Sequence, residues 1–202
     1  MEKIISLEHI KFEYDDKKIF NDLSYCFNSG RYIIQGENGG GKSTLLNLLF
    51  GYLDPTSGRV EKADDLKISY LFQDAMLFNN LTVRENICLK CIAINHKEVE
   101  SMITCCADKY LLTDKLDKKV SLLSGGERQR VQLAILSCSD SDVILLDEPI
   151  ANLDTKNSEE IMKYIFDINC PLVIVVSHQY IKGGENYTLL ELKGGQLIEV
   201  QW

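Results

Sequence analysis

The stretch GENGGGKST, residues 36–44, spaces Gly36, Gly41, Lys42 and Ser43 as G-x-x-x-x-G-K-[ST]. Glycines let backbone N–H groups curl around phosphate oxygens, Lys42 can neutralise charge on β- and γ-phosphates, and the Ser43 hydroxyl can ligate Mg²⁺. A second glycine stretch, LSGGE at 123–127, sets Ser124, Gly125 and Gly126 at what reads as a helix start. Unpaired N–H groups and the positive end of the helix dipole favour an anion there too. The apolar run VILLDE, residues 143–148, ends in two acids. At the end of a buried strand beside a phosphate loop, Asp147 suits Mg²⁺ positioning and Glu148 suits polarising an attacking water. Together these groups imply binding of a nucleoside triphosphate, and the second glycine site calls for an anion of its own.

Such a loop needs a strand before it and a helix after it, and RYIIQG (31–36) and STLLNLLFGYL (43–53) supply both. Upstream, IISLEHIKFEY (4–14) and residues 19–27 read as β-like stretches separated by the polar DDKK. DPTSG (54–58) is a turn and LKISYLFQ (66–73) another strand. From residue 81 to about 119 the pattern turns helical, with TVRENICLKCIAI and HKEVESMITCCADKYLL as two helices of an inserted helical subdomain. ERQRVQLAILSC (127–138) is predicted helical, DVILLDEP (142–149) a buried strand, and TKNSEEIMKYIFDI (155–168) a helix capped by Asp154 or Thr155. PLVIVVSH (171–178) is again a buried strand, and YTLLEL with QLIEV closes a hairpin around KGG. Strands rich in Val, Ile and Leu alternating with helices predict an α/β fold with a largely parallel sheet covered on both faces. Ligands of such sheets sit at the carboxyl ends of strands, where these motifs fall.

The 202 residues carry 22 Lys plus Arg against 30 Asp plus Glu, a net charge of −8. With no long basic run to offset it, that balance disfavours nucleic acid as a partner. No stretch has the eighteen or so apolar residues of a membrane-spanning helix, and the first residues lack a signal peptide's apolar run. A cytoplasmic chain is expected unless a partner holds it at a membrane. The seven cysteines are odd in number and scattered, and include a C-x-x-C at Cys88 and Cys91 and the neighbours Cys105 and Cys106. They are read as reduced, mostly buried thiols acting as small core hydrophobes.

Phosphate loop, LSGGE and LLDEP, in this order, resemble the nucleotide-binding domain of an ABC ATPase, and the likeness covers almost the whole chain. The resemblance implies one domain. Residues 1–73 and 140–202 would form a P-loop NTPase core with a mostly parallel sheet and an N-terminal antiparallel β subdomain, and about 74–139 the helical subdomain. It implies that Gly36, Glu37, Asn38, Gly39, Gly40, Gly41, Lys42, Ser43 and Thr44 hold ATP, with Tyr14 stacked on the adenine. Gln73, like Ser43 and Asp147, would reach Mg²⁺, and would also meet the attacking water. His178 would contact the γ-phosphate and support Glu148, and Asp154 would lie in a loop crossing between paired domains. Glu127 stands where many members have glutamine, Ile150 where Thr or Ser is common, and Gln179 where Asp is frequent. No domain follows the hairpin, so the C-terminal regulatory extension of some importer ATPases is expected to be absent.

The same resemblance assigns the second anion site. Two such domains, of one chain or of two related chains, would pair head to tail, each offering Ser124, Gly125 and Gly126 to the ATP on the other's phosphate loop. Hydrolysis would then release the pair, with Glu148, His178, Gln73 and Lys42 as the catalytic set. The expected setting is a separate ATP-binding subunit on the inner face of a membrane, held by a membrane-spanning permease. The region FQDAMLFNNLTVREN (72–86), with Met76, Leu77 and Phe78, would receive the permease. A soluble ABC ATPase acting in assembly, repair or translation is the alternative, and a nucleotide-gated module with little hydrolysis a third.

Overall fold

The computed structural model describes residues 3–14, 17–72, 77–94, 97–151, 153–179 and 187–200. In chain order the elements are β1 (Lys3–Tyr14), β2 (Lys17–Asn28), β3 (Gly30–Gln35), α1 (Lys42–Phe50), β4 (Ser57–Lys62), β5 (Ile68–Leu71), α2 (Val83–Ala93), α3 (Val99–Lys109), α4 (Gly125–Ser137), β6 (Val143–Asp147), α5 (Thr155–Phe166), β7 (Leu172–Ser177), β8 (Thr188–Lys193) and β9 (Gln196–Glu199). Short 3₁₀ turns stand at Thr113–Lys115 and Val120–Leu122.

The chain divides into two compact units: Met1–Tyr70, Ser141–Pro149 and Cys170–Trp202 form the first, and Leu71–Asp140 with Ile150–Asn169 the second. In the first, β2, β1 and β4 make an antiparallel sheet in that order, and a second sheet runs β5-β6-β7-β3-β8-β9. The pairs β6/β7, β7/β3 and β3/β8 are parallel, and only the closing hairpin β8/β9 is antiparallel among these. Every residue of β6 and β7 is buried, which is why VILLD and LVIVVS read as unbroken apolar runs rather than alternating ones. Their side chains join Ile34, Leu45, Leu46 and Leu49 with Ile5, Leu23 and Phe27 of the antiparallel sheet in one core. The mostly parallel α/β architecture with its antiparallel β subdomain is the one expected. The first helix is shorter than its apolar pattern: Gly51, left-handed at φ 91°, closes α1 after Phe50, and Lys62 Nζ donates to the Phe50 carbonyl at 3.1 Å.

The second unit is helical. Thr82 caps α2 through a reciprocal capping box with Glu85, and Val83, Ile87, Ile103, Tyr110 and Val131 are buried within the unit. α5 falls in this unit too, whereas the sequence reading grouped residues 140–202 with the core. Its apolar face, Ile161, Met162 and Ile165, is buried, and Glu160 pairs with Arg130 of α4 at 3.2 Å. Contacts with α4, three-dimensional and invisible in the chain order, decide that grouping.

Candidate functional site

Residues 36–41 join β3 to α1, so the phosphate loop leaves the carboxyl end of a central strand and enters a helix N-terminus. Gly41, at φ 99°, starts α1 without a side-chain cap, leaving its first N–H groups for a ligand. A Cβ on Gly41 would stand 2.5 Å from Ile19 Cγ2, and one on Gly36 would stand 2.7 Å from the Leu192 carbonyl. Packing therefore demands glycine at both positions, independently of any ligand. Lys42 is buried, and its Nζ donates to the carbonyls of Gly36 and Glu37 at 3.0 Å each. The ammonium thus closes a ring on its own loop.

Asp147 ends β6 and is buried. Its Oδ2 accepts from the Tyr70 hydroxyl at 3.4 Å, while Oδ1 is buried and finds no hydrogen-bond donor among the described residues. Burial pushes this carboxyl's pKa up; the Ser43 hydroxyl pulls it down, neighbouring Glu148 adds to the rise, and Tyr70 and Lys42 oppose it. A buried carboxylate oxygen without a donor, beside a serine hydroxyl, is an all-oxygen donor set that fits a hard divalent cation.

Glu148 follows at φ 51°, a left-handed conformation that costs a non-glycine residue roughly 1–2 kcal/mol. Its N–H donates to Val176 O at 2.9 Å, carrying the β6/β7 ladder one residue past the strand. The carboxylate turns to the end of β7, where Oε2 accepts from the His178 N–H at 3.1 Å and lies 2.8 Å from His178 Nδ1. A carboxylate only accepts, so Nδ1 carries the proton and Nε2 is left as the outward nitrogen. The Glu148 side chain is 9% exposed and that of His178 41%, so the pair reaches from the interior to the surface. A cavity of about 490 Å³ adjoins it, lined by Gln35, Gly36, Glu37, His178 and Glu191 among others.

The first unit therefore brings together the loop 36–44, Asp147, Glu148 and His178. Tyr14, at the end of β1, is 48% exposed and meets Phe12 edge to face at 4.9 Å, which leaves ring surface for stacking. Gln73 and Met76 lie outside the described residues. In the second unit, Ser124 is the N-cap of α4: its Oγ accepts from Glu127 N–H at 3.3 Å while Glu127 Oε2 accepts from Ser124 N–H at 2.8 Å. The hydroxyl expected to face an anion is engaged in a capping box, and Glu127 in place of glutamine completes it, its pKa lowered chiefly by the Ser124 N–H. A Cβ on Gly125 would meet nothing within 4 Å, and one on Gly126 only ordinary contacts with Asn157 and Leu153. The described packing does not require glycine at either position. Asp154 caps α5, accepting from Asn157 N–H at 3.0 Å and Asn157 Nδ2 at 2.6 Å. Leu77 is half-buried, and Phe78 is 63% exposed on a loop that Asn86 fixes through two hydrogen bonds to the Phe78 backbone.

Sequence reasoning did not find the positive φ of Glu148, the Tyr70 contact with Asp147 or the capping function of Ser124. Only the last carried a local signal, since S-x-x-E before a helical run is a capping-box pattern.

Comparison with known proteins follows the same lines. The model of the ABC transporter family matches residues 20–151. The chain is 33% identical over 194 residues to the ergothioneine transport ATP-binding protein EgtV of Helicobacter pylori, covering 88% of this chain and 91% of that one. It is 34% identical over 214 residues to the thiamine import ATP-binding protein ThiQ of Haemophilus influenzae, covering 93% and 98%. Among solved structures, an ATP-binding cassette of an ABC transporter superposes with a TM-score of 0.84 at 22% identity, over 98% of this chain and 90% of that one. A Clostridium perfringens chain that is part of the ABC transporter complex cbiONQ gives 0.82 at 24% identity, over 98% and 88%, so both share the fold. Among the described residues no helix is long and apolar enough to cross a membrane.

Proposed function

The chain belongs to the ABC transporter family, whose ATPase domain binds ATP, and on that premise we propose that it hydrolyses ATP to drive a separate membrane-spanning permease. The observation that carries this reading is the convergence, in one unit, of the phosphate loop, a buried unpaired aspartate oxygen and the Glu148–His178 pair. The relatives EgtV and ThiQ are named as transport and import ATP-binding proteins, which supports the permease.

In this mechanism the loop N–H groups and Lys42 hold the β- and γ-phosphates, with Lys42 exchanging its two carbonyl acceptors for phosphate oxygens. Both bonds from His178 use Glu148 Oε2, so Oε1 takes the proton of the attacking water. His178 keeps the carboxylate in place and turns Nε2 towards the γ-phosphate side. Ser43, Asp147 and Gln73 are the residues that would hold Mg²⁺, which when bound neutralises charge on the phosphates. The second ATP-binding surface is the α4 N-terminus of another domain, which offers Ser124, Gly125 and Gly126. With Ser124 Oγ serving as cap, the N–H groups of the α4 first turn are its principal donors.

Steady-state phosphate release by the purified chain tests hydrolysis directly; no turnover above background with Mg²⁺ and ATP would refute the catalytic part. Co-purification from the native host tests the placement, since recovery with no integral membrane protein would leave the permease without support.

Asp147→Asn is expected to weaken divalent binding by about tenfold or more, since a bond to a charged group is worth roughly 1.5–3 kcal/mol. Mn²⁺ titration in the presence of nucleotide, followed by electron paramagnetic resonance, measures this without turnover, and an unchanged affinity would remove Asp147 from the metal site. Ser124→Arg is expected to leave ATP binding nearly intact while suppressing ATP-dependent dimerisation and hydrolysis. The arginine also removes an N-cap worth about 0.5–2 kcal/mol. Ser124→Ala loses the same cap without the bulk, so dimerisation retained in Ser124→Ala and lost in Ser124→Arg isolates the interface.

A further inference from the structure

Five of the seven cysteines belong to the second unit: Cys88, Cys91, Cys105, Cys106 and Cys138. Three of them are buried and come from different helices, Cys91 from α2, Cys106 from α3 and Cys138 from the residue that closes α4. Cys106 Sγ and Cys138 Sγ, 32 positions apart in the chain, lie 3.6 Å from each other. The two thiols are not equivalent. Ser137 Oγ also lies 3.7 Å from Cys106 Sγ, and the Cys138 thiol has the Ala134 carbonyl at 3.2 Å, Cys106 and Cys91 in reach. The Cys106 pKa is held below the usual cysteine value, first by the hydrogen bond with Cys138, then against burial by Ser137 and Lys109. That of Cys138 is pushed far up by the same bond and by burial. Of the two, Cys106 is the thiol that loses its proton more readily.

We propose that Cys106 and Cys138 form a peroxide-oxidisable dithiol, closing reversibly to a disulfide that links α3 to the end of α4. The Cys106 thiolate attacks one oxygen of hydrogen peroxide; the O–O bond breaks, Cys106 becomes a sulfenic acid, and the departing hydroxide takes a proton to leave as water. Cys138 sulfur then attacks the sulfenic sulfur, the S–O bond breaks, and the hydroxyl leaves as a second water with the Cys138 proton. Two thiols are oxidised by two electrons and one peroxide is reduced to two waters. Bonding requires the sulfurs to approach by about 1.5 Å. Burial of both residues restricts the reaction to a small oxidant and excludes bulky disulfides. The bond would pin the end of the helix whose other terminus is Ser124. A soft-metal site is the competing use of clustered thiols, but the described residues contain no group of three His, Cys, Asp or Glu arranged to hold a metal ion.

The test is to treat the reduced, purified chain with an equivalent of hydrogen peroxide, alkylate under denaturing conditions, and analyse the peptides by mass spectrometry. Expected is a cross-linked peptide pair containing Cys106 and Cys138 in most of the chains, the other cysteines alkylated, and full reversal by dithiothreitol. Cys91→Ala should keep the cross-link, and Cys138→Ser should instead leave Cys106 as a sulfenic acid that dimedone traps. Alkylation of all seven cysteines after peroxide overturns the proposal. So does a bond through Cys91, or between chains through the exposed Cys26 or Cys105, without the Cys106–Cys138 pair. The wild-type measurement decides the matter even if the serine variant fails to fold.

Discussion

Glu148→Gln is expected to lower ATP turnover by about 10²–10⁴-fold, the range carried by a general base, while leaving ATP binding intact. Glutamine has the shape of glutamate and its side-chain carbonyl can still accept from the His178 N–H, so the 3.1 Å contact at the end of β7 survives. What it cannot do is take a proton from water. The backbone at this position already holds the left-handed φ of 51°, and the substitution does not change that strain. Thermal unfolding should therefore be nearly unaltered, which separates a chemical loss from a structural one. Because hydrolysis is the step that releases paired domains in this mechanism, the variant should accumulate as an ATP-bound dimer. Phosphate release measures the first effect and light scattering with and without ATP the second. A variant that stays monomeric with ATP would sink the head-to-tail pairing, and one that retains turnover would remove Glu148 as the base.

Lys42→Ala should weaken ATP binding by about 10²-fold. The ammonium gives up two bonds to neutral carbonyls, each worth roughly 1 kcal/mol net, for charge-assisted bonds to phosphate at about 1.5–3 kcal/mol each. The difference, about 1–4 kcal/mol, centres on that loss of affinity. Alanine also leaves the Gly36 and Glu37 carbonyls without their shared donor, so the loop itself should loosen. Isothermal titration with ATP and, in parallel, with adenosine discriminates the two effects. Loss of ATP affinity with adenosine binding unchanged is the expected pattern, and unchanged ATP binding would mean that residues 36–44 are not the cradle.

Much of the site was legible in the chain because its parts are local. A strand, a glycine loop and a helix are contiguous in residues 31–53, and the acids 147 and 148 close a run whose apolar residues announce a buried parallel strand. Backbone geometry and composition suffice there, since the same few residues supply the turn, the N–H groups and the charge. The cap of α4 was legible in principle for the same reason, as Ser124 and Glu127 are three residues apart. Gln73, expected to complete the metal and water contacts, lies outside the described residues.

Other features depend on residues distant in sequence. Strand order sets β6 beside β7, and this register helps carry the Glu148 carboxylate to His178, thirty positions away. Nothing in LLDEP announces that its glutamate must adopt a left-handed backbone to get there. Burial, likewise a property of the packed sheets, leaves Asp147 Oδ1 without a donor among the described residues. The cysteines illustrate the limit from the other side: scattered along the chain they read as core fillers, yet two helices bring two sulfurs to 3.6 Å. By itself the sequence determined the nucleotide chemistry, the α/β architecture and the family likeness, because contiguous motifs encode phosphate binding and strand burial. Only the tertiary structure decided how Glu148 is aimed, which oxygen of Asp147 is left without a donor, and which thiols meet, because those depend on pairing and packing between residues far apart in the chain.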